Sequence, residues 1–493
     1  MLDRWPRWAR FGAFFGLGVV AALGQAPLDL WPATLIALAV LFVVHRQVIS
    51  PSAAAWQVWF FGLGYFAFAL RWIVEPFLVD ATRHGWMAPF AIVLMAAGAA
   101  LFWAVAAWFA QRLAPRSQIA LGLFLVAVEM TRSLVLTGFP WALLGHIWVP
   151  TWMAQASGIG GSHLLSLITV LAAIGLSRLW LRDWSRGGVV LAVLVLLAFT
   201  LRPGPAPQLP DDAPVVRLVQ PNAAQHLKWD PVYRELFVNR LVELSGQGDR
   251  PDLIVWPETA VPYLLNFIID DLSQLDAAAR GAPLIFGVQR RDERGLFYNS
   301  MVLMEQGGVI TATYDKQHLV PFGEYVPFGD LLARIGIRGM AVQEGGGFAA
   351  GTAPGPVDIP GIGLAVPLIC YEGIFAEEIF TGPERPRMLL LITNDGWFGQ
   401  AAGPHQHLAQ ARLRAIEQGL PMVRVANTGI SAMIDAQGRI TASLALGVDA
   451  ALDAPLPAVG PAPPYTLVGD WPVGGVLLAG LLVAVIRRRR EYD

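Results

Sequence analysis

From about residue 11 to about residue 201 the chain is a succession of long apolar runs. From about 213 to 465 it is patterned like a soluble protein, and one last apolar run follows. A water-soluble fold cannot bury that much continuous apolar surface, whereas the roughly 30 Å hydrocarbon layer of a bilayer takes one apolar helix of about 20 residues per crossing. The runs centre on residues 11–24, 28–44, 56–74, 87–110, 118–137, 163–181, 187–201 and 472–486, so about eight transmembrane helices are expected. Composition agrees, with 55% hydrophobic and 15% charged residues in 493 and a mean hydropathy of +0.51. The expected organisation is a seven-helix membrane region over 1–203, a globular domain over 213–465, and a final helix with a basic tail over 466–493.

Basic residues set the orientation. Arg4, Arg7 and Arg10, then Arg46, then Arg112 and Arg116, then Arg178, Arg182 and Arg186, then the RRRR at 487–490 fall in alternate connections. Loops that stay in the cytoplasm carry such an excess, so an inside N-terminus puts residues 213–465 outside and returns the tail to the cytoplasm. The first run is read as a retained anchor and not a cleaved signal, because a second apolar span follows at once. A formal net charge of −2 without a Lys/Arg stripe argues against a nucleic-acid partner.

The globular region opens and closes with Pro-rich linkers, LRPGPAPQLPDDAP at 201–214 and PLPAVGPAPPY at 455–465. Between them, β-branched runs such as VVRLVQ, LIVWPE, PLIFGVQ, YNSMVLM, GLAVPLICYE, MLLLITND, PMVRVANTG and SAMIDAQG alternate with helical patterns at 231–245, 268–280 and 402–418. This predicts an α/β domain with sheets covered by helices. Reactive groups recur where an apolar strand ends: Glu258 after LIVWP, Cys370 after GLAVPLI, Asn394 and Asp395 after MLLLIT. Strand ends of one edge are where α/β sheets build sites.

Cys370 is the single cysteine of the chain, so no internal disulfide is available to it. A thiol nucleophile needs a base, and a cation or N–H donors where an oxyanion forms. None of His226, His318, His405 and His407 is paired with Cys370 by pattern, whereas Glu258 sits behind a Trp-Pro pair that fixes the backbone and excludes water. Lys316 in YDKQHLVPFGE precedes a rigid turn that can aim its ammonium and Glu324 at one point. Gly373 after Cys370 marks a tight turn opening a helix, and Glu372 is expected to hold a nearby lysine or arginine. The carboxylates and the HQH at 405–407 lack compact metal-ligand spacing, so no metal is expected.

Glu in WPE, Lys in YDKQHLVPFGE and Cys in CYE, in that order with Tyr298-Asn299-Ser300 between the first two, resemble the Glu-Lys-Cys triad of the nitrilase superfamily. EMTRSLVLTGFPWALLG at 129–145, the seven-plus-one spans and NDGWFG at 394–399 resemble the apolipoprotein N-acyltransferase family. The resemblance implies an αββα sandwich inserted before the last transmembrane helix, in a multi-pass protein of the bacterial inner membrane with its catalytic domain in the periplasm. It implies Glu258 as general base, Lys316 as oxyanion stabiliser and Cys370 as the nucleophile that carries an acyl chain as a thioester. Glu324, Tyr371, Glu372 and Asn299 would support the triad, and Trp229 in QHLKWD would face substrate. The implied donor is a phospholipid, by family preference phosphatidylethanolamine, and the acceptor is the N-terminal amine of a diacylglyceryl-cysteine apolipoprotein. No cofactor is implied, and a monomer is expected.

Glu129 and Arg132 lie three apart inside a span, where unpaired charge is expensive, so they are expected to pair with each other or with a neighbouring helix in a structural role. The apolar segments 263–270 and 331–342 are too short to span and suit either a membrane-surface lid or core. Two rivals stay open: a membrane-anchored amidase, in which water resolves the thioester, and an eight-span transporter or receptor whose outer domain only binds ligand.

Overall fold

The computed structural model describes residues 6–205, 209, 212–327, 347–353, 355–379 and 382–490, with backbone only at 485 and 487–490. Segment 331–342 lies outside the described residues. By contact density the chain divides into a helical unit (Met1–Gly204, Ala401–Ala409 and Ala462–Asp493) and a sheet unit (Pro205–Gln400 and Gln410–Pro461).

Each apolar run of the sequence is a helix: Arg7–Ala22, Trp31–His45, Pro51–Ala69, Ala88–Leu113, Gln118–Leu134, Ser157–Trp180, Trp184–Thr200 and Trp471–Arg490. By length and composition, three among the described residues can cross a membrane, namely Ala81–Leu113, Gln118–Thr137 and Trp152–Trp180. A fourth qualifies if Pro51–Ala69 and Arg71–Leu78, bent by 62°, count as one span. Trp31–His45, Trp184–Thr200 and Trp471–Ala484 are apolar but shorter. Local chemistry fixes the starts: Ser50 accepts from the Ala53 amide at 3.2 Å with Pro51 at the first helical position, and Ser117 accepts from Ala120 at 3.2 Å.

Within lipid no hydrophobic force draws helices together, so close packing and buried polar contacts must do so. A Cβ built on Gly18 would stand 1.9 Å from the Phe61 carbonyl oxygen, and one on Gly64 would stand 2.0 Å from that of Phe15. The Arg7–Ala22 and Pro51–Ala69 helices therefore touch backbone to backbone. Glu129 and Arg132 are both buried and grip one connection from two ends. Arg132 donates to the carbonyls of Phe139 at 2.5 Å and Trp141 at 2.9 Å, while Glu129 accepts from the Leu144 amide at 3.0 Å and the Ser166 hydroxyl at 2.6 Å. The structural role is thus played chiefly against backbone groups. His163 contacts Ser133 at 3.2 Å and Asp470 at 3.1 Å, tying the start of the final helix to the bundle. Residues 401–409, expected in the globular region, count with the helical unit. Gln406 there accepts from the Trp141 indole at 2.7 Å and donates to the Ala69 carbonyl at 3.0 Å.

The sheet unit holds thirteen strands among the described residues: β1 Val215–Gln220, β2 Leu253–Val255, β3 Val261–Leu264, β4 Leu284–Arg291, β5 Phe297–Glu305, β6 Val309–Asp315, β7 Val357–Ile359, β8 Gly363–Ile369, β9 Met388–Thr393, β10 Met422–Ala426, β11 Ala432–Ile434, β12 Ile440–Ser443 and β13 Ala450–Pro455. One sheet runs β13-β1-β2-β4-β5-β6 with β3 also beside β4, and the other runs β12-β11-β10-β9-β8-β7. β1-β2-β4 and β8-β9-β10 pair in parallel, and antiparallel strands flank them. The parallel centres are mostly apolar, as strands covered on both faces tend to be, with buried Arg217 on β1 and Arg424 on β10 as exceptions; every residue of β9 and β10 is buried. The Arg234–Ser245 helix covers the first sheet through Leu241 and Leu244, which join Val219, Ile254 and Trp256 in one core. Polar links join the sheets: Gln220 accepts from Ser431 at 2.7 Å, and Asn427 donates to the Ala223 carbonyl at 2.8 Å. This is the αββα sandwich.

The sequence pattern passed over β3, over β6, whose exposed residues are Val309, Thr311 and Thr313, and over the short edge strands β7, β12 and β13. Segment 263–270 divides: Leu265 is buried under β4, whereas Phe267 and Ile269 are exposed.

The backbone contact at Gly64 leaves no room for a side chain. Gly64→Leu should part the two helices and destabilise the protein by roughly 2 kcal/mol or more. A lower melting temperature in detergent checks this, with Gly98→Leu, which meets open space, as the neutral control.

Candidate active site

Parallel strands of both sheets end on one edge, and the polar residues after them meet there. β2 delivers Glu258, β8 delivers Cys370, β9 delivers Asn394 and Asp395, and β6 ends one residue before Lys316. Asn299 enters from the start of β5.

Lys316 is the centre. Its Nζ donates to Glu324 Oε1 at 2.9 Å and stands 3.6 Å from Glu258 Oε1, with all three side chains buried. Burial works against the charged ammonium, but the carboxylates of Glu324 and Glu258 outweigh it and hold the Lys316 pKa above the ordinary lysine range. The amine is therefore a fixed cation. Asn299 Nδ2 donates to Glu258 Oε1 at 2.7 Å and to Glu324 Oε1 at 3.1 Å. Of the two ends of the amide only the nitrogen can donate to both carboxylates, which fixes the orientation of the side chain. The other Glu258 oxygen accepts from the Asn394 backbone amide at 2.8 Å, and the other Glu324 oxygen accepts from the Val320 amide at 2.8 Å. Both carboxylates are immobilised at both oxygens.

Cys370 is buried and takes φ +51° at the end of β8, a left-handed conformation that costs a non-glycine residue energy. The strain turns its side chain off the strand, into a single five-residue 3₁₀ turn, Cys370–Ile374. Sequence reasoning expected a helix start here, and one short turn supplies less of a dipole. Burial pushes the thiol pKa well above the ordinary value, the Glu258 charge adds to this, and Lys316 opposes it. The resting sulfur is thus protonated and lies within the field of the Glu258 carboxylate.

Glu372 was expected to hold a cation. Instead its carboxylate accepts from the Gln317 amide at 2.6 Å, the Ile369 amide at 2.6 Å and the Tyr314 hydroxyl at 2.9 Å. It laces the Lys316 strand end to the Cys370 strand end, because backbone N–H groups of both segments point into the same buried space. Burial lifts its pKa to about 7, against those donors. Tyr371 packs edge-on against Phe375 and His318, and His318 reaches Glu378 at 2.8 Å. Trp229 lies half-buried on the 225–229 turn. Groups of three or more potential metal ligands are absent among the described residues.

Three residues escaped the sequence reading. Lys228 is buried and donates to the Glu258 carbonyl at 3.1 Å and to Thr259 Oγ1 at 2.8 Å, fixing the turn that carries Glu258. Burial lowers its pKa to about 8, opposed by Glu258. Its signal was adjacency to Trp229 in QHLKWD, which identifies no contact. Gly287 on β4 lies so close that a Cβ would fall 2.6 Å from Glu258 Cα. Arg424 on β10 donates to Asp395 at 2.7 Å, orienting the acid beside Thr393.

Residues 17–175 match the model of the apolipoprotein N-acyltransferase N-terminal domain, and residues 216–454 match that of carbon-nitrogen hydrolases. The chain is 36% identical to the apolipoprotein N-acyltransferase of Rhodopseudomonas palustris, over 98% of this chain and 96% of that protein. It is 36% identical to the one from Brucella melitensis, over 92% of this chain and 90% of that protein. Among solved structures, an amidase from Nesterenkonia sp. aligns at 20% identity and a TM-score of 0.36, covering 52% of this chain and 93% of that one.

The electrostatics at Cys370 make a signed prediction. The thiol should show no thiolate, by ultraviolet absorbance or alkylation rate, up to about pH 9, where an ordinary cysteine is mostly ionised. Glu258→Gln removes a raising charge and should move the onset of ionisation to lower pH, and Lys316→Met should move it higher. An ordinary thiol midpoint in the wild type would contradict the arrangement.

Proposed function

The chain belongs to the apolipoprotein N-acyltransferase family, and from that membership we propose its reaction. An acyl chain passes from a phospholipid to Cys370 and then to the N-terminal amine of a diacylglyceryl-cysteine lipoprotein. The observation that carries this is the buried Glu258-Lys316-Cys370 group at the strand ends of a carbon-nitrogen hydrolase sandwich joined to an apolar helical unit.

In the first half-reaction the sulfur attacks the ester carbonyl as Glu258 takes its proton. The oxyanion forms against the Lys316 ammonium, which is already charged and already oriented, so little reorganisation is needed. Collapse expels the lysophospholipid alkoxide, and Glu258 returns the proton to it. In the second half the acceptor amine attacks the thioester, Glu258 takes a proton from the nitrogen, and the thiol leaves reprotonated as the amide forms. Asn299, Asn394 and Glu324 hold base and cation at fixed spacing, and Glu372 and Lys228 hold the loops that bear them. Tyr371 supports the triad, and Trp229 would face substrate.

We assign the donor as phosphatidylethanolamine, the protein as a monomer, and its site as the bacterial inner membrane with the catalytic domain in the periplasm. The alternation of basic connections supports that orientation.

Incubated with labelled phospholipid, the purified protein should form a hydroxylamine-sensitive adduct. It should persist in buffer and discharge rapidly to a diacylglyceryl-cysteine peptide with a free amine, but not to the N-acetylated peptide. Rapid release of free fatty acid in buffer alone would make the protein a hydrolase. Cys370→Ala should abolish adduct and turnover together, while Glu258→Gln and Lys316→Met should lower acylation by a factor of about 100 or more with the thiol still present.

A reporter fused after residue 209 should be active only outside the cytoplasm, and one at the C-terminus only inside. The reverse pattern at either position would overturn the orientation.

A further inference from the structure

The arginines that the sequence distributes over three separate connections converge at one end of the helical unit. Arg46, Arg116, Arg178 and Arg186 line a single cavity of about 230 Å³ together with Ser117, Gln118 and Asp183. Four guanidiniums thus surround one space that holds one carboxylate. Asp183 is engaged by Arg178 at 3.1 Å and by Arg186 at 3.8 Å. Arg46 and Arg116 have no acidic partner among the described residues.

The floor of the cavity is rigid. Gln118 is buried and donates to the Phe42 carbonyl at 3.1 Å and to the Ser177 hydroxyl at 2.9 Å, so it ties the Trp31–His45, Gln118–Leu134 and Ser157–Trp180 helices together beneath the arginines. The three helices whose ends carry these arginines are therefore held together, so the arginine backbones stay around one space. Like charges kept this near one another repel at every ionic strength at which the Debye length exceeds their spacing, and an anion in the middle removes that cost. Guanidinium presents paired N–H donors that match phosphate oxygens, and it stays charged at all physiological pH.

We propose that this cavity is a binding site for a phosphate-bearing anion, and that the membrane supplies it as the headgroup of an acidic phospholipid. The headgroup phosphate lies among Arg46, Arg116 and Arg178, with Arg186 at the rim. The apolar helix surfaces below receive the chains. Basic pockets between helices at the side of the membrane that carries the basic connections are suited to this role. The site is separate from the triad, and its test does not depend on acyl transfer.

The full-length protein is purified in detergent, stripped of lipid, and titrated with phosphatidylglycerol, with phosphatidylcholine, and with inorganic phosphate. Bound lipid is counted by native mass spectrometry. Phosphatidylglycerol should bind in preference to phosphatidylcholine, and inorganic phosphate should compete with it. The variant Arg46→Ser/Arg116→Ser changes two exposed side chains, and its melting temperature reports that it folds. It should bind phosphatidylglycerol about thirtyfold more weakly, as expected for the loss of two arginines near a phosphate surface. Inorganic phosphate binding more tightly than phosphatidylglycerol would keep the anion site and overturn the lipid as its source. Equal lipid and phosphate binding by the variant and the wild type would overturn the site.

Discussion

A buried ammonium between two buried carboxylates is the interaction on which the sheet unit's site depends. Lys316 out of water is tolerable only because Glu324 and Glu258 stand 2.9 and 3.6 Å away, and each carboxylate is tolerable only because the cation and backbone amides face it. Removal of Lys316 leaves two buried carboxylates without the cation they share. The same mutual need holds β2, β5 and β6 at fixed spacing at their ends, because Asn299 and Lys316 reach both acids from different strands. The charges that the proposed acylation would use are thus also the charges that position one another.

Cys370 shows the complementary strategy. It takes φ +51° at the end of a buried apolar strand, a left-handed conformation that begins the turn at the polar edge. Glu372, two residues on, bonds the Ile369 amide before the turn and the Gln317 amide after Lys316, so the strained turn and the cation move as one body. Burial and the Glu258 charge hold the thiol protonated, so in the proposed reaction sulfur would become nucleophilic only as its proton moves.

In the helical unit, polar groups serve assembly. Glu129, Arg132 and Ser166 close onto the backbone of one irregular connection, which an apolar environment would otherwise penalise at every unpaired N–H and C=O. Glycines at 18 and 64 let two helices touch, and Gln406, distant in sequence, fills a polar gap between Trp141 and two backbone carbonyls.

Much of this was legible in the chain. Apolar runs are long because lipid demands it, so the helices were readable one by one, and strand-end placement marked Glu258, Cys370 and Asn394 because apolar strands stop where their partners stop. Motif resemblance named Lys316 and Glu324. Other features were not legible. That Glu372 binds amides and not a cation, that Lys228 and Gly287 shape the Glu258 turn, and that residues 401–409 pack with the helices all depend on which segments lie side by side. Four arginines in three connections announced only a side of the membrane; their meeting around one cavity required the Gln118 bonds that lock those connections together. Sequence by itself determined the partition between lipid and water and the chemical identity of the reactive groups, because both are properties of single residues and their near neighbours. Tertiary structure alone decided which charges face each other, because Coulomb energy and burial are set by distances between residues that the chain order leaves free.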